Sequence, residues 1–472
     1  MSVPRAVERI PKFRRWALAI VFVAFALRLS FFRAIAAHPE RFFQPDSAGY
    51  HDLALNLLRF HRFGEYDAAG VWSPHVNRTP VYPLFLAAVY ALFGLTPAAV
   101  MLLQVMISTL CVALTFWLAR LWAGARVGVW AAAWLSVEVG SVIYANQVMT
   151  ETLFSCTLLG AMIVWSVIVR RARWRRAFLC GALLGAGALI RPVLLYFALA
   201  VGVLTVALYP ARGRWRAALT MLLAVGLIVA PWMTRNYAIM QRAELSVIQA
   251  RNLFFFNVGH LRAARQHISY QEARVQLEQE ARGELADEVL EHPGRLADYY
   301  QRKAVSEIRA NWVDYAVVHL KGAALFFVIP TAGTVARALG WVRVRTGLLS
   351  NLMGRALDDT WRSFRDFHRQ LGHVGDADWL FFGAVGYELL YLAAIDLCAL
   401  WGAVTCLRDR RWGVLLLTLA VIGYFAMITG PVSYDARYRI PAIPFLALLA
   451  GLGQADLGAR WRRIKSRKKD VQ

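Results

Sequence analysis

Two short runs near the start of the chain carry residue types suited to proton transfer and anion binding. Pro45-Asp46-Ser47-Ala48-Gly49-Tyr50 sets a carboxylate four residues before a tyrosine, and Arg78-Thr79-Pro80-Val81-Tyr82-Pro83 follows after an intervening polar stretch. A carboxylate near a low-dielectric interface can have its pKa raised toward the work of a general base, taking a proton from an attacking hydroxyl. A leaving phosphate needs charge stabilisation more than protonation, which calls for arginines or a metal. Arg191, Arg235, Arg437 and Arg439 stand at the ends of apolar segments, and Tyr438 separates the last two. Glu151 is a second acid, opening an apolar segment after Met149-Thr150. Each residue also has a plainer reading. Asp46 after a proline suits the N-cap of a helix over Ser47–Phe60. Glu151 suits the positive end of a helix dipole. Arginines at the ends of apolar segments ordinarily snorkel to headgroups.

The elements that must position these side chains are spanning helices. Apolar residues make up 58% of the 472, and segment after segment has the length and near-absence of charge that crossing a bilayer needs. The alternation of a membrane β-barrel is lacking, so the fold expected is an all-α polytopic membrane bundle. The net charge of +23 is distributed as short basic runs between apolar segments: Arg14-Arg15, Arg120 with Arg126, Arg170 to Arg176, Arg212 to Arg216, Arg408 to Arg411 and Arg460 to Lys469. That placement follows the positive-inside rule and argues for anionic headgroups rather than nucleic acid.

With the basic runs in the cytoplasm, both termini are inside. The first helix, near Trp16–Ala37, exits uncleaved, and residues 38–96 form an outer loop. Spans are expected near Pro97–Leu121, Val127–Tyr144, Thr152–Val169, Ala177–Ile190, Val193–Leu208, Ala217–Met233, Leu380–Leu407, Trp412–Ile428 and Ile440–Leu452, about ten in all. Ser47–Phe60 and Val81–Gly94 read as helices lying on the outer leaflet. The chain thus divides into a transmembrane region over 1–236, an outer helical insertion over 237–379, C-terminal spans over 380–456 and a basic cytoplasmic tail over 457–472. Within the insertion, 315–331 is apolar enough to cross but carries His319 and Lys321, so a partial or interfacial insertion is expected.

An acid soon after the first span, a tyrosine four residues on, an interfacial helix and an Arg-x-Pro-x-Tyr-Pro run resemble the bacterial branch of the protein O-mannosyltransferases. That branch includes the lipid A aminoarabinose transferases of the GT-C superfamily. Met149-Thr150-Glu151, Leu189-Ile190-Arg191-Pro192, Pro231-Trp232-Met233-Thr234-Arg235-Asn236 and Arg437-Tyr438-Arg439-Ile440-Pro441-Ala442-Ile443-Pro444 extend the similarity in order along the chain. Thr79 stands where relatives often have Pro, and Glu151 where the aminoarabinose enzymes have Asp. The resemblance implies transfer of a sugar from a polyprenyl-phosphate carrier to an envelope lipid, polysaccharide or protein, with inversion at the anomeric carbon. In that frame Asp46 and Glu151 are the catalytic candidates, and Arg191, Arg235, Arg437 and Arg439 hold the donor phosphate. Tyr50, Arg78, Tyr82 and Tyr438 contact substrate.

No cofactor is required by this reading, and a divalent metal is compatible with it. Asp376-Ala377-Asp378 and Asp358-Asp359 have the form of metal-binding acidic pairs but suit solvated insertion residues equally. The histidines of the outer segments show no ligand spacing, and the five cysteines, in or beside apolar segments, form no metal or disulfide framework. A glycine-rich phosphate loop after a strand is missing, so a donor used on the outer face would be lipid-borne. The rival class is a transporter or flippase, which needs acids near mid-membrane; Glu138 and Asp396 are the residues that would supply them. Arg28, deep in the first span, needs a partner, with Asp46 or a lipid phosphate the candidates.

Overall fold

The computed structural model describes the chain apart from residues 1–9, 67–69, 170–172, 209–212, 287–288, 290–291, 342–375, 431–434 and 470–472; Asp358-Asp359 therefore lies outside the described residues. It is helical almost throughout. Helix α1 (Ile10–Ile35) leads into α2 (Ser47–Phe60). A small antiparallel hairpin of β1 (Gly64–Tyr66) and β2 (Trp72–Pro74) follows, then α3 (Val81–Phe93) and the long α4 (Pro97–Ala123). After these come α5 (Ala125–Ser136), α6 (Val139–Tyr144), α7 (Glu151–Ile168), α8 (Trp174–Ala188), α9 (Val193–Leu208) and α10 (Arg214–Met240). The hairpin is a departure from the all-helical expectation. Its strands are three residues each, and the cross-strand pair Tyr66 and Trp72 adds an edge-on ring contact at 5.0 Å.

Six described helices are long and apolar enough to cross a membrane: Phe13–Ile35 within α1, α4, α7, α10, Trp379–Arg408 and Trp412–Thr429. Leu18, Phe22, Leu219, Leu223 and Leu227 lie exposed on two of them, apolar faces suited to contact with lipid. The chain is a multi-pass membrane protein. Where these helices meet one another, small residues let the backbones touch. A Cβ at Gly181 of α8 would stand 2.1 Å from Met221 O of α10, so that crossing depends on glycine.

The expected span Val127–Tyr144 is broken in two. Val137 leaves the helix, and Glu138 starts the next one, its carboxylate accepting from Gly140 N at 3.1 Å and Ser141 N at 2.5 Å. Glu138 is therefore an N-cap that satisfies a helix start inside the bundle. The matching C-terminus of α5 is served by Arg28, whose guanidinium donates to Ser136 O at 3.1 Å and Ser108 Oγ at 2.7 Å. Asp46, which pairs with Arg78 and Arg437, does not partner Arg28. A guanidinium buried among apolar helices goes to the acceptors within reach, here the carbonyls left open by the helix break and the Ser108 hydroxyl.

Beyond α10 the chain forms α11 (Ile248–Asn252), a π-helical stretch over Leu253–Val258, α12 (Gly259–Gln266), α13 (Tyr270–Glu284) and α14 (Pro293–Ala310). Polar and amphipathic, these pack around Phe254, Val258, Leu277 and Ala304. Two charge clusters, Arg262 with Glu280 and Glu307 and Lys303 with Glu280 and Glu284, lace their outer surface. The apolar segment within the insertion is a bent pair, α15 (Trp312–Val328) and α16 (Ala332–Leu339), at 56° to one another. The last helices are α17 (Asp376–Arg408), α18 (Trp412–Thr429) and α19 (Ile443–Lys469), joined near Arg437 by a 3-10 turn over Ala436–Arg439. A Cβ at Gly402 would stand 1.9 Å from Leu449 O, so α17 and α19 also cross in backbone contact.

Candidate active site

Asp46 stands at the N-cap position just before α2, but its side chain makes no capping hydrogen bond to the helix. The carboxylate instead receives Arg78 Nη2 on Oδ1 at 2.8 Å and Arg437 Nη1 on Oδ2 at 2.7 Å. Burial by itself would push this carboxyl up, but the Arg437 and Arg78 guanidinium groups overcome that and hold it well below the usual carboxylate range. Its side chain stays 34% exposed, so the pair of ion pairs is open on one side.

The surroundings explain why these three segments converge. Phe42 O accepts from Val148 N at 2.8 Å, and Gln44 donates to Gln147 Oε1 at 2.8 Å, which fixes the loop before Asp46 against the segment leading to Glu151. Thr79 Oγ donates to Ile190 O at 3.0 Å and Val81 N to Leu189 O at 3.1 Å, so the Arg78 segment is bound to the Arg191 segment. Tyr82, fully buried, stacks edge-on with Tyr50 at 5.1 Å and donates to Gln104 Oε1 at 2.9 Å. Tyr50 accepts from Arg78 Nη1 at 3.2 Å while the guanidinium lies over its ring at 4.5 Å. Tyr82 is thus a buttress behind Tyr50 rather than a surface residue.

A second pair lies beside the first. Arg191 Nη1 donates to Glu151 Oε1 at 3.0 Å; Glu151 is wholly buried, and its other oxygen finds no partner among the described residues. Tyr438 joins the two pairs: its hydroxyl accepts from Arg437 Nη2 at 2.9 Å, and the Arg437 and Arg191 guanidinium groups lie 4.9 and 5.4 Å from its ring. Arg437 is further held by Asp435, whose carboxylate accepts from Arg437 N at 3.0 Å and lies 3.2 Å from Nε. Asp435 and Tyr438 help keep the Arg437 guanidinium protonated although burial opposes it.

Asp46, Tyr50, Arg78, Tyr82, Glu151, Arg191, Arg437 and Tyr438 therefore form one cluster. Two of the expected phosphate ligands lie outside it. Arg235 donates to His75 O at 3.0 Å and Phe63 O at 2.9 Å, and stacks over Trp232 at 4.4 Å, tying the β-hairpin to α10. Arg439 is buried and donates to Phe326 O at 3.0 Å and Ile329 O at 2.9 Å. Both donate to backbone carbonyls, and an arginine two residues from another on a 3-10 turn points away from it. Gln104, Gln147 and Asp435 belong to the cluster's frame but were not anticipated; amides in otherwise apolar segments were the available signal for the first two.

Among the described residues no group of three or more His, Cys, Asp or Glu side chains is placed to hold a metal ion. Asp376-Ala377-Asp378 opens α17. Glu138, as a helix cap, is committed to structure, while Asp396 lies in α17 with a buried oxygen lacking a partner. An open cleft of about 860 Å³ lies between Gln241–Glu244 and α14, lined by Arg242, Asp298, Arg302 and Arg309, apart from this cluster.

Residues 77–234 match the family described as dolichyl-phosphate-mannose-protein mannosyltransferase. No curated protein matches the chain in sequence. Among solved structures, the fold is similar to the archaeal oligosaccharyltransferase AglB from Archaeoglobus fulgidus, in complex with an inhibitory peptide and a dolichol-phosphate. The TM-score is 0.50 at 12% identity, over 97% of this chain and 52% of that one. The same archaeal enzyme tethered to an acceptor peptide gives a TM-score of 0.52 at 14% identity, over 97% and 51%. ArnT from Cupriavidus metallidurans bound to undecaprenyl phosphate aligns at 14% identity over 93% and 77%, with a TM-score of 0.38. The chain spans about half the length of the archaeal structures it matches. It is a polytopic membrane protein that shares the fold of the archaeal oligosaccharyltransferase, and its residues 77–234 are similar to the mannosyltransferase family described above.

Proposed function

We propose that the chain transfers a sugar from a polyprenyl-phosphate donor to a hydroxyl of an envelope lipid, polysaccharide or protein, with inversion at the anomeric carbon. The observation that carries this reading is the Asp46 carboxylate set between Arg78 and Arg437, with Arg191 beside them across Tyr438. Two guanidinium groups make Asp46 a weak base in this arrangement. A donor phosphodiester seated on Arg437 and Arg191 competes for the Arg437 donors and releases one of the two ion pairs, so the carboxylate becomes basic when the donor is present. The acceptor oxygen then attacks the anomeric carbon and gives its proton to Asp46. The bond from that carbon to the phosphate oxygen breaks, and polyprenyl phosphate leaves with its new charge against the arginines. The dolichol-phosphate bound to the archaeal enzyme of the same fold supports a lipid-borne donor.

The site is assigned to the outer face of the cytoplasmic membrane, with both termini inside. Asp46, Glu151, Arg191 and Arg437 share the bundle end opposite the basic runs at Arg120, Arg126 and Arg408 to Arg411, which supports that orientation. The test is Asp46→Asn in membranes supplied with polyprenyl-phosphate sugars. Loss of transfer by a variant that still folds, though less stably, is expected; undiminished transfer would refute the role.

A further inference from the structure

The apolar segment of the insertion breaks at Ile329-Pro330-Thr331. Proline lacks an N–H and keeps the residue before it out of the helix, and Ile329 is extended, with φ −69° and ψ 124°. A break inside a bundle leaves open carbonyls at the end of the first half and open N–H groups at the start of the second, with opposite partial charges. Two buried ions from other elements sit on these two ends. Arg439 donates to Phe326 O and Ile329 O at the end of α15. Glu388 of α17 accepts from Thr331 N at 2.7 Å and from the Thr331 hydroxyl at the start of α16. The same Glu388 oxygen lies 3.7 Å from Arg439 Nη2, with both side chains at most 2% exposed.

Arg439 ends the 3-10 turn on which Arg437 stands two residues earlier. The other end of the bent pair bears on the second half of the site: Leu339 O at the end of α16 accepts from Arg41 Nη1 at 3.3 Å, five residues before Asp46. We propose that Glu388 is a positioning residue for Arg437: by pairing with Arg439 over the helix break, it sets the turn that carries the Arg437 guanidinium onto Asp46. This rests on the reading of Asp46 and Arg437 as the reacting centre. The physical ground is the cost of a guanidinium buried at this depth without a counter-ion. Without Glu388, Arg439 gains by moving toward another acceptor or water, and the turn moves with it. The linkage is narrow, because among the described residues Arg439 Nε and the second Glu388 oxygen have no partner.

The test reads the Asp46 carboxyl directly. Carbodiimide labels the protonated acid, so at a fixed pH of about 8 the rate of labelling at residue 46 in the purified full-length protein, followed by mass spectrometry, rises with the basicity of Asp46. The charged and titratable groups around Asp46 are Arg78, Tyr50, Arg437, Tyr438 and Asp435, with the Glu151–Arg191 pair beyond Tyr438. Arg437→Ala sets the full increase in labelling rate, because one of two guanidinium groups is gone. Glu388→Ala is expected to raise the rate about tenfold or more and to add nothing in the Arg437→Ala background. Glu388→Gln, which keeps an acceptor for Thr331 but not the charge, moves it the same way by less and decides the matter if the alanine variant does not fold. An unchanged rate in a folded Glu388 variant, or an increase that adds to that of Arg437→Ala, would overturn the assignment. Sugar transfer is measured separately: a wild type without it defeats the proposed function, while the labelling series still reports on Glu388.

Discussion

Arg437 reaches the Asp46 carboxylate at 2.7 Å across 391 residues of chain, and Arg439, on the same short turn, faces into the bundle instead. Two arginines of one motif thus serve two ends: one meets the carboxylate at the exposed side, and the other holds the helix break behind it.

Arg437 uses Nη1 on Asp46 and Nη2 on the Tyr438 hydroxyl at once, a fork that an ammonium cannot reproduce. Arg437→Lys is expected to lower transfer by about 100-fold, the order seen when one fixed donor to developing charge is removed. Rates from a labelled polyprenyl-phosphate sugar in membranes check this, and near-normal turnover by the lysine variant would remove Arg437 from the phosphate site.

The buried Glu151–Arg191 pair should behave as a pair. Arg191→Met leaves the Glu151 carboxylate wholly buried with no counter-ion and is expected to destabilise the fold by about 3–5 kcal/mol. Adding Glu151→Gln to that variant should restore most of the thermal stability and none of the transfer activity. Recovery of both by the double variant would make the pair purely structural; thermal unfolding in detergent alongside transfer rates separates the two.

The acid limb has a defined sign. The folded-state pKa of Asp46 lies below its unfolded value, so its ion pairs stabilise the fold fully above the ordinary carboxylate range, near 4. That contribution is lost as pH falls through the folded value. The difference in unfolding temperature between wild type and Asp46→Asn should therefore be constant from neutrality down to about pH 5 and shrink below it. A difference that grows on acidification would contradict the two ion pairs.

Much of the molecule was legible in its residues. Long uncharged stretches, basic runs between them and acids and arginines at the other ends were enough for a polytopic helical bundle, since hydrocarbon permits few alternatives. Asp46, Tyr50, Arg78, Arg191, Arg437 and Tyr438 read as one group from their types and the order of the motifs, and the same reasoning includes Arg235 and Arg439, which the structure places elsewhere. The break at Glu138 was not legible, since a six-residue helix such as Val139–Tyr144 has no periodicity long enough to separate it from its neighbour.

What the chain's order of residues determined is which groups must stay polar in an apolar setting. What only the tertiary structure decided is where each polar group finds its partner. Arg28 and Arg235 went to backbone carbonyls, Arg439 to the carbonyls of a helix break and to Glu388, and Arg78 and Arg437 to the Asp46 carboxylate. A guanidinium accepts either solution, and the choice follows from which helix ends cross beside it, a distance that sequence separation does not encode.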